Sequence, residues 1–81
     1  MKIRVKFFGQ LRELTNTDET EMEMSEGSCI EDLSNLLKNK FPQIQQHLNS
    51  VSFALNNEYV KKNVPLKDGV EVGLLPPISG G

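Results

Sequence analysis

The sequence predicts a single α+β domain, a mixed sheet of four to five strands with one main helix packed on one face. Three observations carry that prediction. Apolar residues alternate at period two near the start, past the middle and near the end of the chain, which is the pattern of half-buried strands. One segment between them places apolar residues three and four apart, which is one face of an amphipathic helix. The chain has 81 residues and no repeats or low-complexity runs, enough for one small domain and not two.

Taken in order, Lys2 to Phe8 sets Ile3, Val5 and Phe7 on one face and Lys2, Arg4 and Lys6 on the other. β-Branched and aromatic residues at that period read as a strand. Phe8 points with the lysines. It is either a strand-end residue folded over the rim or an exposed aromatic kept for a partner. Gly9 ends the strand. Gln10 to Leu14 has room for one helical turn, with Leu11 and Leu14 three apart, and Thr15 to Asp18 is turn chemistry. Thr20, Met22 and Met24 alternate with Glu19, Glu21 and Glu23, giving a second strand with an acidic outer face. The short connection favours antiparallel pairing of the first two strands.

Ser25 to Ser28 is a break, and Ser28 followed by Glu31 matches a capping box, so a helix should start near Cys29. Ile30, Leu33, Leu36 and Leu37 form its apolar stripe, and Phe41-Pro42 closes it, because the residue before proline avoids the helical region. Cys29 falls in the first turn, where the helix dipole favours a thiolate. A catalytic thiol also needs a base, and His47, the only histidine, lies in a separate polar segment. Cys29 is therefore either a structural or a reactive cysteine, with the structural reading ahead, and His47 is a surface residue. Ile44 and Leu48 suggest a short second helix on the core.

Val51, Phe53 and Leu55 make a third strand, Asn56-Asn57-Glu58 a tight turn, and Tyr59-Val60 a short partner strand ahead of an exposed Lys61-Lys62 pair. Pro65 keeps its segment out of a central strand. After a turn at Lys67-Asp68-Gly69, Val70, Val72 and Leu74 form the last strand. The order is strand, strand, helix, then two or three strands, with the first and last strands suited to the sheet centre. That order is the β-grasp, or ubiquitin-like, layout.

The net charge is −2, with acidic and basic residues interspersed, so no basic stripe points to nucleic acid. No apolar run approaches a membrane span and no basic start leads into an apolar leader, so no membrane association is expected and a cytoplasmic protein is. One cysteine cannot form an internal disulfide, in keeping with a reducing compartment. No zinc motif, Walker loop or dinucleotide fingerprint is present, so no metal and no bound cofactor are expected.

Residues 1–75 are expected to form the domain and residues 76–81, Pro-Pro-Ile-Ser-Gly-Gly, an extended tail. Pro76 and Pro77 fix φ and lack N–H groups, so the last strand cannot run through them. Gly80 and Gly81 have no Cβ and fit a slot too narrow for a side chain. Six residues reach roughly 20 Å at ~3.3 Å each. Such an end suits delivery of a terminal carboxylate into another protein's active site. A frayed terminus is the plainer reading.

The stretch Val5-Lys6-Phe7-Phe8-Gly9-Gln10-Leu11-Arg12-Glu13-Leu14 resembles the N-terminal motif of the small subunit of molybdopterin synthase, the MoaD family of ubiquitin-like sulfur carriers. Pro65 to Val72 and Pro76-Pro77-Ile78-Ser79-Gly80-Gly81 resemble that family's end. The likeness spans the chain. One departure is Leu74-Leu75, where the family often has aromatics. The resemblance implies a subunit that is not catalytic on its own. Its C-terminal carboxylate at Gly81 is adenylated with ATP by a ubiquitin-activating-like enzyme and converted to a thiocarboxylate. The sulfur is then given to a pterin precursor inside a large catalytic subunit. Two loaded carriers supply one dithiolene, and the assembly has two small and two large subunits. The resemblance makes Gly81 the sulfur-bearing site and Gly80 its slim neighbour. It gives Phe8, Tyr59 and Leu75 docking roles, and turns the Phe8 alternative towards exposure. Pro76, Pro77, Ile78 and Ser79 become the inserted segment, and Arg12 a polar contact or a solvated residue. A sulfur carrier for thiamine or tRNA thiolation, or a ubiquitin-like binding module without chemistry, are the alternatives.

Overall fold

The computed structural model describes residues 1–77. Its five-stranded sheet has the order β2-β1-β5-β3-β4. β1 (Lys2–Phe7) and β5 (Glu71–Leu75) run parallel, and every other neighbouring pair is antiparallel. β2 is Glu19–Glu23, β3 Ser52–Leu55 and β4 Glu58–Val60. The mixed β-grasp sheet with its first and last strands inside is therefore as the sequence predicts.

Alternation decides which face is dry. Ile3, Val5 and Phe7 of β1, Val72 and Leu74 of β5 and Phe53 of β3 are buried on one face. Onto it packs α2 (Ile30–Lys40) with Ile30, Leu33 and Leu37. Full burial of side chains of this size contributes about 1.5–3 kcal/mol each. Phe41 sets its ring edge-on against Phe7 at 5.1 Å between centroids. A 3₁₀ helix, Pro42–His47, adds Ile44, and Leu48 follows it into the core, so the expected short second helix is present in the tighter form.

Three details differ from the sequence reading. The helix cap sits one residue later. Ser28 Oγ donates to the Ser25 carbonyl at 2.7 Å and closes its own turn, so Cys29 becomes the N-cap and donates its N–H to Asp32 Oδ2 at 2.9 Å. Leu36 is exposed, and Ser34 takes a buried place in the stripe instead. The helix between the first two strands, α1 (Gly9–Thr15), is seven residues long. It ends on Asn16, left-handed at φ 53°, whose N–H reaches back to the Arg12 and Glu13 carbonyls.

The β3–β4 hairpin turns on Asn56 (φ 48°) and Asn57 (φ 74°). Two left-handed central residues are the two-residue turn that matches strand twist, and asparagine tolerates that conformation. The loop before β5 is stitched to the start of β1. Lys2 N–H donates to Asp68 Oδ1 at 2.7 Å, and the Lys2 carbonyl accepts from Gly69 N–H at 2.8 Å. β5 is thus held between β1 and β3 along its length, a firm mount for the residues beyond Leu75.

Candidate docking face and tail exit

The sheet face turned away from α2 carries the side chains that alternate with the core. Across its middle the register aligns Lys6, Gly73, Ala54 and Tyr59. Gly73 and Ala54 are small, so the sheet is low there. Phe8, Leu75 and Tyr59 stand around them and enclose a cleft of ≈ 150 Å³, with Asn57 and Glu71 at its polar end. Tyr59 is 70% exposed and Phe8 42%. Among the described residues these two aromatics, together with Leu14 and Leu36, are the exposed large apolar side chains. Partnerless aromatics beside a dip are the anatomy of an interface centre.

Phe8 holds its position through the backbone. Its N–H donates to the Leu74 carbonyl at 3.3 Å, and its own carbonyl accepts from Leu11 N–H at 3.2 Å. Charges border the cleft. Glu71 Oε1 lies 3.5 Å from Lys6 Nζ and 3.7 Å from Arg4 Nη1, and Arg4 Nε lies 3.4 Å from Glu19 Oε1. These pairs are solvent-washed, so their value lies in orienting a partner more than in stability.

The structure brings Phe8, Tyr59 and Leu75, the residues given docking roles by the resemblance, to one cleft. Arg12 is elsewhere. It is exposed on α1, with Nε 3.6 Å from Asp18 Oδ1, and does not line the cleft. Pro76 and Pro77 continue directly from β5, Pro76 half-buried and Pro77 exposed. Ile78, Ser79, Gly80 and Gly81 lie outside the described residues. Cys29 is a partly exposed helix cap. No group of three or more His, Cys, Asp or Glu side chains is placed to hold a metal among the described residues, and no described helix is long and apolar enough to cross a membrane. Sequence reading missed Gly73, Ala54, Asn57 and Glu71. A glycine inside a strand signals a close approach from outside, and at Gly73 the visitor is the Phe8 ring.

Comparison with known proteins gives the site its context. The family model described as ThiS matches residues 5–81. A molybdopterin synthase sulfur carrier subunit of Chlamydomonas reinhardtii is 37% identical over the whole of both chains. Among solved structures, a putative molybdopterin converting factor subunit 1 of Pyrococcus furiosus superposes with TM-score 0.87 at 32% identity, covering 96% of this chain and 99% of that one. A chain in a complex of subunits 1 and 2 of the molybdopterin-converting factor of Helicobacter pylori gives TM-score 0.75 at 29% identity, with both chains fully covered. Matched by that family model over nearly its whole length, and by such a relative end to end, the chain belongs to the ThiS family, among the molybdopterin synthase sulfur carrier subunits.

Proposed function

We propose that this chain carries sulfur for molybdopterin synthesis on the carboxyl group of Gly81 and is not catalytic by itself. One observation carries the reading. A cleft walled by Phe8, Tyr59 and Leu75 opens beside the point where β5 becomes Pro76-Pro77, in a chain that matches sulfur carrier subunits from end to end. A partner seated on the cleft receives the tail.

The chemistry follows from the terminal group. An α-carboxylate titrates near ~3.5 and is an ionised, poor electrophile at neutral pH. A ubiquitin-activating-like enzyme joins it to AMP from ATP, and pyrophosphate leaves. A persulfide sulfur then attacks the acyl carbon, AMP leaves, and a thiol cleaves the S–S bond to give the thiocarboxylate. Gly80 and Gly81 let both nucleophile and phosphate approach, since no side chain shields the carbonyl. The soft sulfur next attacks the pterin precursor within the large subunit, and two such deliveries complete a dithiolene. Phe8, Tyr59 and Leu75 dock on the partner, Pro76 to Ser79 thread its channel, and Arg12 makes a peripheral polar contact. An assembly of two small and two large subunits gives each carrier its own site.

Intact-mass measurement tests the reading. The chain is incubated with the adenylating enzyme, ATP and a sulfur donor, and the C-terminal fragment should gain the mass of one sulfur-for-oxygen exchange. No gain under conditions that load a control carrier would sink it.

A further inference from the structure

The parallel register pairs Phe7 with Leu74; carried on two residues, it sets Gly9 opposite Pro76. Neither continues the ladder. Pro76 has no N–H, and Gly9 has turned into α1 with φ +55°. A Cβ built on Gly9 would lie 3.0 Å from Pro76 Cγ and 3.7 Å from its Cδ, the first well inside the ~3.5–4.0 Å of carbon packing. The proline ring occupies the place of the missing side chain. The converse contact lies close by, where a Cβ on Gly73 would be 3.2 Å from Phe8 Cε2. Each segment lays a ring on the other's glycine. Gly27 (φ +89°) and Gly69 (φ +83°) are also left-handed, yet nothing lies within 4 Å of a Cβ on either. Conformation alone therefore does not set Gly9 apart; its neighbour does. The seat is firm, because Leu11 is buried and Thr15 Oγ1 locks onto its carbonyl at 2.8 Å.

We infer that Gly9 is a positioning residue for the tail: it seats Pro76 against the start of α1 and so sets the direction in which the C-terminal arm leaves the sheet. This rests on the reading of that arm as the sulfur-delivering segment. The Phe8–Gly73 contact ties the same junction to the docking cleft, so a partner on Phe8 sits next to the seat of Pro76.

Two substitutions separate seating from backbone strain. Gly9→Val and Gly69→Val both place a β-branched residue at a left-handed φ, and only the first meets Pro76. A nitroxide on Ser79→Cys, in a Cys29→Ser background, reports tail direction in the free protein through broadening of amide signals on the body. Gly9→Val should move the broadened set, and Gly69→Val should leave it unchanged. Pro76→Gly, which removes the ring from the other side, should also move it, and it covers the case in which Gly9→Val fails to fold. In the reconstituted two-subunit synthase, without the label, sulfur transfer by thiocarboxylated Gly9→Val should fall at least about ten-fold, since misplaced reacting groups cost rate steeply, with Gly69→Val close to wild type. An unmoved broadening pattern in both Gly9→Val and Pro76→Gly, or equal losses of transfer in the two valine variants, would overturn the inference. If wild type is never loaded, the proposed function fails while the broadening experiment still decides the seat.

Discussion

Phe8 combines a strand-like backbone, φ −123° and ψ 154°, with a ring that the core does not take. Its amide and carbonyl are both bonded, to Leu74 and Leu11, so the ring is presented at little further entropic cost when a partner arrives. Tyr59 shares the cleft from β4 and, among the described residues, is the most exposed of the large apolar side chains. These are features of interface anchors, which typically contribute ~2 kcal/mol or more. Phe8→Ala should weaken binding of the large subunit by roughly thirty-fold. Tyr59→Ala should weaken it too, while changing the unfolding free energy by no more than about 0.5 kcal/mol, as for surface sites generally. Titration calorimetry and urea unfolding measure the two quantities, and binding that survives both substitutions unchanged would remove the docking role. The direction of Phe8 was legible in the sequence, because period two fixes the face. Its company was not, because Gly73 and Ala54 come from strands whose register no local pattern states.

At the scale of elements, α2 shows where local signals compete. Ser28-x-x-Glu31 and Cys29-x-x-Asp32 are overlapping capping boxes, and serine is the better cap by composition. The Ser25 carbonyl takes the Ser28 hydroxyl for the preceding turn, and the cap passes to Cys29 with Asp32 as its reciprocal partner. Asp32→Ala should therefore cost about 1 kcal/mol of stability and Glu31→Ala much less. Chemical denaturation of both variants checks this, and the reverse order would return the cap to Ser28. The stripe on α2 was legible except at one place. Leu36 and Ser34 flank the edge of the buried arc, and the helix rotation that buries Ile30, Leu33 and Leu37 puts Ser34 inside it and Leu36 outside. Spacing gives the arc's width; packing on the sheet sets its rotation.

The whole molecule is a sheet built around the parallel pair β1 and β5, with all crossover chain between them. The inner place of the first and last strands was legible because a hairpin, a helix and a second hairpin leave few ways to cover one sheet face. The placement of Arg12 apart from the cleft was not, since a motif lists neighbours in sequence and α1 carries Arg12 round to Asp18. On the proposed reading the body holds and aims, and Gly81 carries the reactive atom. The most direct measurement of that claim is a single turnover with the chain carrying radiolabelled sulfur on Gly81, mixed with the large subunit and the cyclic pterin precursor. Label should leave the chain for the dithiolene product, with about two carriers spent per product, as one sulfur per delivery requires. Product formed while the label stays on the chain would contradict the carrier role.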